Sequence, residues 1–511
     1  MKKFRMVVAL DTIIFYPEHE ELLKKLVDKP KIERVPLVYN YKRKEWLLPE
    51  NYYLPKDANI IIWPSSLPQS FKDLSIETHS KLNTAQCWTE VGLNKNISDQ
   101  NLYNRVKDAD CILTCWTEIP DSVLDNLIRG GKLKAIFTWT HEFEHRLNVK
   151  KAKEAGIYTD CVPDYGTCSV AELVINSFIE LIHRNKKNND VAKTEEDIAI
   201  AVLKNLFDHY KKSLSNEKKT RNGQFAHQFH KMGRALEHYS SFFEKELNEI
   251  IPEKSLKGKS IGFIGVKENN YFQDILKNSF DMRVNYIKNP SDSSEYYEFI
   301  SENELIFYDS NNISKKEINK LELIKNEENI FDLASVKSYN ENLKGKTLGI
   351  VGLGRIGTKV AEMASNMGLN VKYYSPNKKD KRYEKVSLEE LFKTSDVISV
   401  NVSAHKAKGL IDEKLINYMK KGSYFINTSD GNSVDQKSLT KKMLNNEIYV
   451  ALDVYKGLPT TDVLCLPVSS KKIKKLLSEH FFTYRAGWKT QESVRVKTYK
   501  LIGHMVDCLY K

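Results

Sequence analysis

No apolar run in this 511-residue chain approaches the roughly 20 residues needed to cross a bilayer, so the sequence offers nothing for a membrane-spanning role. Cysteine is scarce. The seven, at 87, 111, 115, 161, 168, 465 and 508, show no metal-ligand spacing. An odd number in a chain without a leader segment is expected of reduced thiols in the cytoplasm. The opening MKKFRMVVALD places lysines ahead of an apolar stretch, but Arg5 interrupts it and Asp11 halts it, so it reads as a first strand rather than a signal core. A dense basic stripe is missing too. Lys and Arg number 79 against 67 Asp and Glu, yet the lysines are scattered and not interleaved with aromatics, so no nucleic-acid partner is expected. What remains is a chain long enough for about three domains that acts on a small molecule.

Residues 343–357 read LKGKTLGIVGLGRIG. The run 348–351 makes a buried parallel strand, GxGxxG follows, and a helix with Val360, Met363, Ala364 and Met367 on one stripe comes next. In such a turn Gly352 permits the tight bend. Gly354 lets the backbone approach a pyrophosphate, and Gly357 lets helix and strand pack closely. The helix beginning near Arg355 aims its free N–H groups at the phosphates. A second strand is expected at 371–374.

The stretches SDVISVNVS (395–403), GLIDEKLINYMKKGSYFIN (409–427) and ALDVY (451–455) follow in order. With the fingerprint they resemble the cofactor domain of the D-2-hydroxyacid dehydrogenases. LKAIFTW (133–139), KAKEAGI (151–157) and VPDYGTCSVAEL (162–173) resemble that family's substrate domain. The similarity covers residues 105–185 and 343–511. It implies an α/β chain, a flavodoxin-like substrate domain and a Rossmann domain with a cleft between them, and hydride transfer on a 2-oxo or 2-hydroxy acid. It also carries cofactor-contacting positions over to Gly352, Gly354, Arg355, Ile356, Gly357, Ser375, Lys378, Asn401, Thr428 and Asp453.

The catalytic identities depart from that family. The arginine that holds the substrate carboxylate corresponds to Asp430, the acid/base histidine to Arg485, and the glutamate that tunes it to Leu458. The glycine loop that offers N–H groups becomes His141-Glu142-Phe143-Glu144. An aspartate repels a carboxylate by about 4 kcal/mol at roughly 4 Å in a screened site, where an arginine fork would grip it. Arginine cannot shuttle a proton near neutral pH, because its pKa stays above about 12. Ordinary 2-hydroxyacid dehydrogenase activity is therefore not expected, and two readings stay open. In one, redox chemistry continues on an amine, imine or neutral carbonyl compound. Asp430, Glu142 and Glu144 then make the pocket acidic, Arg485 stabilises an oxyanion, and His405, Tyr484 or His141 carries the proton. In the other, the chain binds a dinucleotide without turnover, as a scaffold or sensor.

NAD-preferring proteins place an acidic residue after the second strand. Here that place is Ser375, followed by Asn377, Lys378, Lys379, Lys381 and Arg382, which favours NADP over NAD on charge alone. A second feature is a repeat. LKGKSIGFIGV (256–266) matches LKGKTLGIVGL (343–353) at six of eleven positions, at an offset of 87 residues that persists to RVNY (283–286) against NVKY (370–373). In this first copy Lys267 and Asn270 replace the second and third glycines, so a degenerate half-Rossmann unit that binds no dinucleotide is expected. Helices are expected over 195–214 and 226–250, a hairpin suited to an oligomerisation arm of a homodimer. His227, His230, Glu237 and His238 lie on the second helix, and no metal site is assigned to them. The expected organisation is a substrate domain over 1–185, completed by a helix within 488–511. A helical insertion (186–255), the degenerate repeat (256–340) and the dinucleotide-binding domain (341–487) lie between.

Overall fold

The computed structural model describes residues 3–10, 19–35, 38–40, 45–47, 53–63, 98–115, 117–140, 146–186, 194–212, 251–252, 255–268, 270–287, 293–324, 329–336, 339, 341–403, 407–454, 478–483, 487 and 490–510. Contacts divide the chain into two units. Met1–Gly166 and Gln491–Lys511 belong to the first, Thr167–Ser213 and Glu249–Thr490 to the second. Among the described residues no helix is long and apolar enough to cross a membrane, and no group of His, Cys, Asp and Glu is arranged to hold a metal. The expected helix over 226–250 and its histidines lie outside the described residues.

The first unit is built on an all-parallel sheet in the order Ile32–Arg34, Ile60–Ile62, Val7–Ala9, Cys111–Thr114, Ala135–Thr138, Tyr158–Cys161. Its inner strands are short unbroken apolar runs (VVA, III, CILT, AIFT), buried on both faces as helix-covered parallel strands must be. The buried Asp110 carboxylate accepts from the N–H groups of Arg5 (2.9 Å) and Met6 (2.7 Å), tying the start of one central strand to its neighbour. The helix Asp121–Gly130 buries Val123, Leu124 and Leu127 and stops at Gly131, which adopts the left-handed conformation. The C-terminal helix Gln491–Tyr510 returns to this unit and buries Leu501, Ile502 and Met505. Its Lys497, 1% exposed, sits over the rings of Trp139 (3.9 Å) and Tyr165 (4.4 Å).

The second unit holds two parallel sheets. One has four strands in the order Arg283–Ile287, Ser260–Ile264, Leu305–Tyr308, Ile330–Asp332. The other has seven, in the order Glu384–Lys385, Asn370–Tyr374, Thr347–Val351, Val397–Val400, Ser423–Asn427, Ile448–Leu452, Phe481–Phe482. Four helices share one apolar core with both sheets: Thr167–Lys186, Glu195–His209, Tyr271–Phe280 and Arg355–Asn366.

One boundary and one helix differ from what is expected of the sequence. The first unit gives way to the second at 166/167 rather than 185, because the helix Thr167–Lys186 buries an unbroken run from Ala171 to Ile182 in the second unit. The helix Glu195–His209 is no projecting arm. Residues Ala199–Leu203, Leu206 and Phe207 are buried in the chain's own core, so its apolar surface is already covered.

Candidate functional site

The seven-stranded sheet reverses direction of growth at the strand Thr347–Val351. The chain first adds strands on one side of it, then crosses to begin the other side at Val397–Val400. Open α/β sheets bind ligands at this switch point, outside the carboxyl ends of the strands. Register fixes what lies there. Val351 pairs with Tyr374 and Val400, Val400 with Asn427, Asn427 with Leu452, and Leu452 with Phe482. The next residues along these strands are Ser375, Gly352, Asn401, Thr428, Asp453 and Thr483. They form a single row on the carboxyl edge. At about 4.8 Å between strands, the row from Ser375 to Asp453 spans roughly 19 Å.

Each fingerprint glycine has its own reason to lack a side chain. Gly352 has φ +95°, and a Cβ there would lie 2.6 Å from the Asn401 carbonyl oxygen, across the switch point. At Gly357 a Cβ would collide with the Gly352 carbonyl oxygen, so only glycine lets the helix Arg355–Asn366 start so close to its strand. Gly354 differs: its φ of −75° suits any residue, and a Cβ there would meet no protein atom within 4 Å. Packing does not require that glycine, whereas a group approaching the backbone from outside would. Gly354 is also the N-cap of the helix and provides no side-chain cap; the first intrahelical bond runs from Thr358 N–H to the Gly354 carbonyl (2.9 Å). Arg355 and Ile356 occupy the first turn, Arg355 exposed and Ile356 partly buried against the core.

Beside Gly352, the Asn401 side chain donates to Ser399 Oγ (2.9 Å), while its Oδ1 is buried without a hydrogen-bond partner. At one end of the row Ser375 is buried, and Lys378 Nζ donates to Thr358 Oγ1 on the fingerprint helix (2.6 Å). Arg382 is held elsewhere. Its guanidinium bonds the Asp380 carboxylate (2.8 Å) and pairs with Glu362 (3.1 Å), and it pulls Asp380 down to about 2. Of the basic cluster after the second strand, Lys378 and Arg382 both reach the helix, Lys378 at Thr358 in its first turn and Arg382 at Glu362 farther along.

At the other end, buried Asp453 accepts from Thr483 Oγ1 (2.5 Å), and its backbone N–H donates to the Asn427 carbonyl (2.9 Å). Asn427 Oδ1 accepts from Ser429 N–H and Oγ (both 3.0 Å), fixing the turn that carries Thr428. Asp430 caps the short turn Gly431–Ser433; its Oδ1 accepts from the N–H (3.2 Å) and the side-chain amide (3.3 Å) of Asn432. The structure thus brings five of the sequence-derived positions into one row and puts Gly354–Gly357 and Lys378 beside it. His405, Tyr484, Arg485, His141, Glu142, Glu144 and Leu458 lie outside the described residues. Thr483 and Thr358 were not picked out from the sequence. Taking the first residue after every parallel strand would have found Thr483, and the spacing of four from Gly354 along the helix would have found Thr358.

Two family models match the chain. The one described as D-isomer specific 2-hydroxyacid dehydrogenase, NAD binding domain, matches residues 317–469. The one for the catalytic domain of the same family matches residues 70–223. A hydroxypyruvate reductase of Thermotoga maritima is 37% identical over 126 residues, 24% of this chain and 41% of that protein. A D-3-phosphoglycerate dehydrogenase of Bacillus subtilis is 36% identical over 127 residues, 24% of each chain. The chain therefore matches less than half the length of these two relatives. Among solved structures, a D-lactate dehydrogenase from Aquifex aeolicus complexed with NAD and lactic acid is 17% identical with a TM-score of 0.45, covering 98% of this chain and 93% of that one. An acyclic imino acid reductase in complex with NADPH and D-Arg is 16% identical with a TM-score of 0.44, covering 97% and 95%.

Proposed function

Since the chain belongs to the D-isomer specific 2-hydroxyacid dehydrogenase family, we propose that it is an NAD(P)-dependent oxidoreductase with a rebuilt substrate end. It would act on a non-standard carbonyl or imine, or in reverse on a hydroxyl or amine. The observation that carries this reading is the row Ser375, Gly352, Asn401, Thr428 and Asp453 beside an uncapped helix start. The residues present fit a dinucleotide. Gly354 leaves the approach to the helix N-terminus open, and Asn401 Oδ1 is a buried acceptor in want of a donor. Gly352–Gly357 would hold the pyrophosphate, with Ser375 on the adenosine-ribose side and Thr428 and Asp453 on the nicotinamide side. The bound nicotinamide supplies or accepts the hydride.

NADP is preferred in this reading. Ser375 leaves out the carboxylate that would accept from a ribose 2′-OH, and Lys378, which bonds Thr358 on the fingerprint helix, would supply a cation for a 2′-phosphate. The protein's contribution at the substrate end is a carboxylate, Asp430, where a 2-oxo acid would need a cation, with Arg485, His405 and Tyr484 as candidate groups for charge and proton. A non-catalytic nucleotide-binding scaffold is the second reading. It is favoured by one observation: the Asp430 carboxylate is already engaged as a turn cap.

Titration of the full chain with NADPH and NADH, read by cofactor fluorescence, followed by a screen of carbonyl and imine compounds, separates these. Tighter NADPH binding that relaxes in Lys378→Ala, with turnover of a carbonyl or imine, supports the enzyme. Binding with no turnover supports the scaffold. Steady oxidation of NADPH by a simple 2-oxo acid would overturn the rebuilt site.

A further inference from the structure

We propose that residues 255–335 are a built-in partner. Their half-domain covers, within one chain and by a pseudo-twofold contact, the face of the fingerprint helix on which a second copy would otherwise dock. This inference does not depend on the chemistry at the nucleotide site.

The two sheets are equivalent in position as well as in order. Their first strands begin at 260 and 347 and their second at 283 and 370, so the 87-residue offset of the sequence is kept in space. In both, the chain then crosses to the far side of the first strand and adds a further strand beyond it, although in the seven-stranded sheet the edge strand Glu384–Lys385 comes in between. The equivalent mid-strand glycines serve the same purpose. A Cβ on Gly262 would lie 2.7 Å from Phe299, and one on Gly349 would lie 2.6 Å from Leu391, each on the helix covering the outer face. The turn glycines Gly265 (φ +67°) and Gly352 (φ +95°) both press on the segment after the third strand, at Ile313 and Asn401.

The equivalent helices Tyr271–Phe280 and Arg355–Asn366 pack on each other, and equivalent donors reach across in both directions. Ser279 Oγ donates to the Met363 carbonyl (3.0 Å), and Asn366 Nδ2 donates to the Asn278 carbonyl (2.8 Å). Positions 279 and 366 are the same position of the repeat, each reaching a carbonyl of the other helix. Tyr271 OH adds a third bond, to the Met367 carbonyl (2.5 Å). Late residues of one helix meet late residues of the other, and the start of one meets the end of the other, so the pair runs antiparallel about a point near Lys277 and Ala364. Two copies about a twofold axis make contacts in which i meets j and j meets i; this pair approximates that, since the acceptor Met363 corresponds to Leu276 in the repeat and the acceptor on the other side is Asn278. Here one chain supplies both sides.

The first copy has also closed its own nucleotide turn. Its helix starts at Asn270, whose Oδ1 accepts from Gln273 N–H (3.1 Å) while Gln273 Oε1 accepts from Asn270 N–H (3.2 Å). Tyr271 N–H donates to Glu195 Oε2 (3.3 Å). The donors that would meet a phosphate are occupied by side chains, and one of these is a carboxylate. This copy is a structural half, not a second binding site.

The test uses the full chain with exposed Asn278 and Asn366 both changed to cysteine, prepared as a mixture of ordinary and isotopically heavy protein and treated with a short bis-maleimide. Mass spectrometry reads whether peptides containing 278 and 366 are joined within one chain or between chains. The proposal expects light–light and heavy–heavy links alone, and hydrogen exchange over 271–280 and 355–366 that is independent of protein concentration. Light–heavy links would overturn it, as would a failure to link the pair in a chain with native circular dichroism. Exchange over those helices that slows on concentration would also overturn it.

Discussion

The two ends of the fingerprint turn make a differential prediction. Gly354→Asn places in the working copy the type of residue that caps the helix in the degenerate one. The new Cβ meets no protein atom within 4 Å and the φ of −75° suits it. Asparagine is at least as good an N-cap as glycine, by a few tenths of a kcal/mol, so the fold is expected to keep its stability. The same side chain takes an N–H that an anion would use. Loss of a charge-assisted hydrogen bond is worth about 1.5–3 kcal/mol, which weakens dinucleotide binding roughly 10- to 150-fold. Gly357→Ala does the opposite. Its methyl group drives into the Gly352 carbonyl oxygen, an overpacking cost of about 1–3 kcal/mol, seen as a fall in melting temperature of several degrees. Thermal melts and NADPH fluorescence titrations of both variants check this. If Gly354→Asn binds like the parent chain, or melts as low as Gly357→Ala, the assignment of the open glycine to a phosphate is refuted.

Three further outcomes are expected. Asp430→Ala should lose about 1 kcal/mol as a missing cap, while Asp430→Asn stays within a few tenths; equal urea midpoints for the two variants would show that the cap is not what holds this turn. Burial, helped by the charges of Asp208, Glu180 and Asp197, raises Tyr339 to about 12, and burial beside Glu341 raises Tyr424 as well. Their folded values lie above the unfolded value of about 10, so their stabilisation is whole below pH 10 and lost as the pH rises toward 12. The urea midpoint should fall between pH 8 and pH 11, and fall less in Tyr339→Phe. A flat profile would contradict this. Finally, Lys497 lies buried on Trp139 and Tyr165, where a desolvated cation–π contact is worth about 2 kcal/mol. A double-mutant cycle of Lys497→Met with Trp139→Leu should return a coupling of that order, and a coupling near zero would refute it.

The sequence revealed the dinucleotide half most clearly because its chemistry is local. Gly352 and Gly357 answer to a positive φ and a backbone collision within a few residues of themselves, so their spacing is visible in one dimension. The central strands of both units are dominated by apolar residues, which mark buried parallel strands without revealing their neighbours. What the pattern left out depends on distant packing. The helix Glu195–His209 has a helical period, but Ala199, Ile200, Ala201, Val202 and Leu203 are consecutive and all buried. Apolar residues all round a helix mark one covered on several sides, not an arm with one sticky face. Similarly, the helix Thr167–Lys186 lies in a stretch that resembles the substrate domain in sequence, while its packing places it in the second unit. Asp430 was read for its charge. The Asn two residues on was the local sign of a cap.

The central claim is that a nicotinamide dinucleotide lies across the edge formed by Ser375, Gly352, Asn401, Thr428 and Asp453, with its phosphates at the start of the helix Arg355–Asn366. Calorimetric titration of the full chain with NADPH, coupled to hydrogen exchange of the bound and free protein, measures this directly. The account expects one dinucleotide per chain and slowed exchange over 352–358, with 265–273 unchanged. No binding of NADPH or NADH, or protection at 265–273 in place of 352–358, would contradict it.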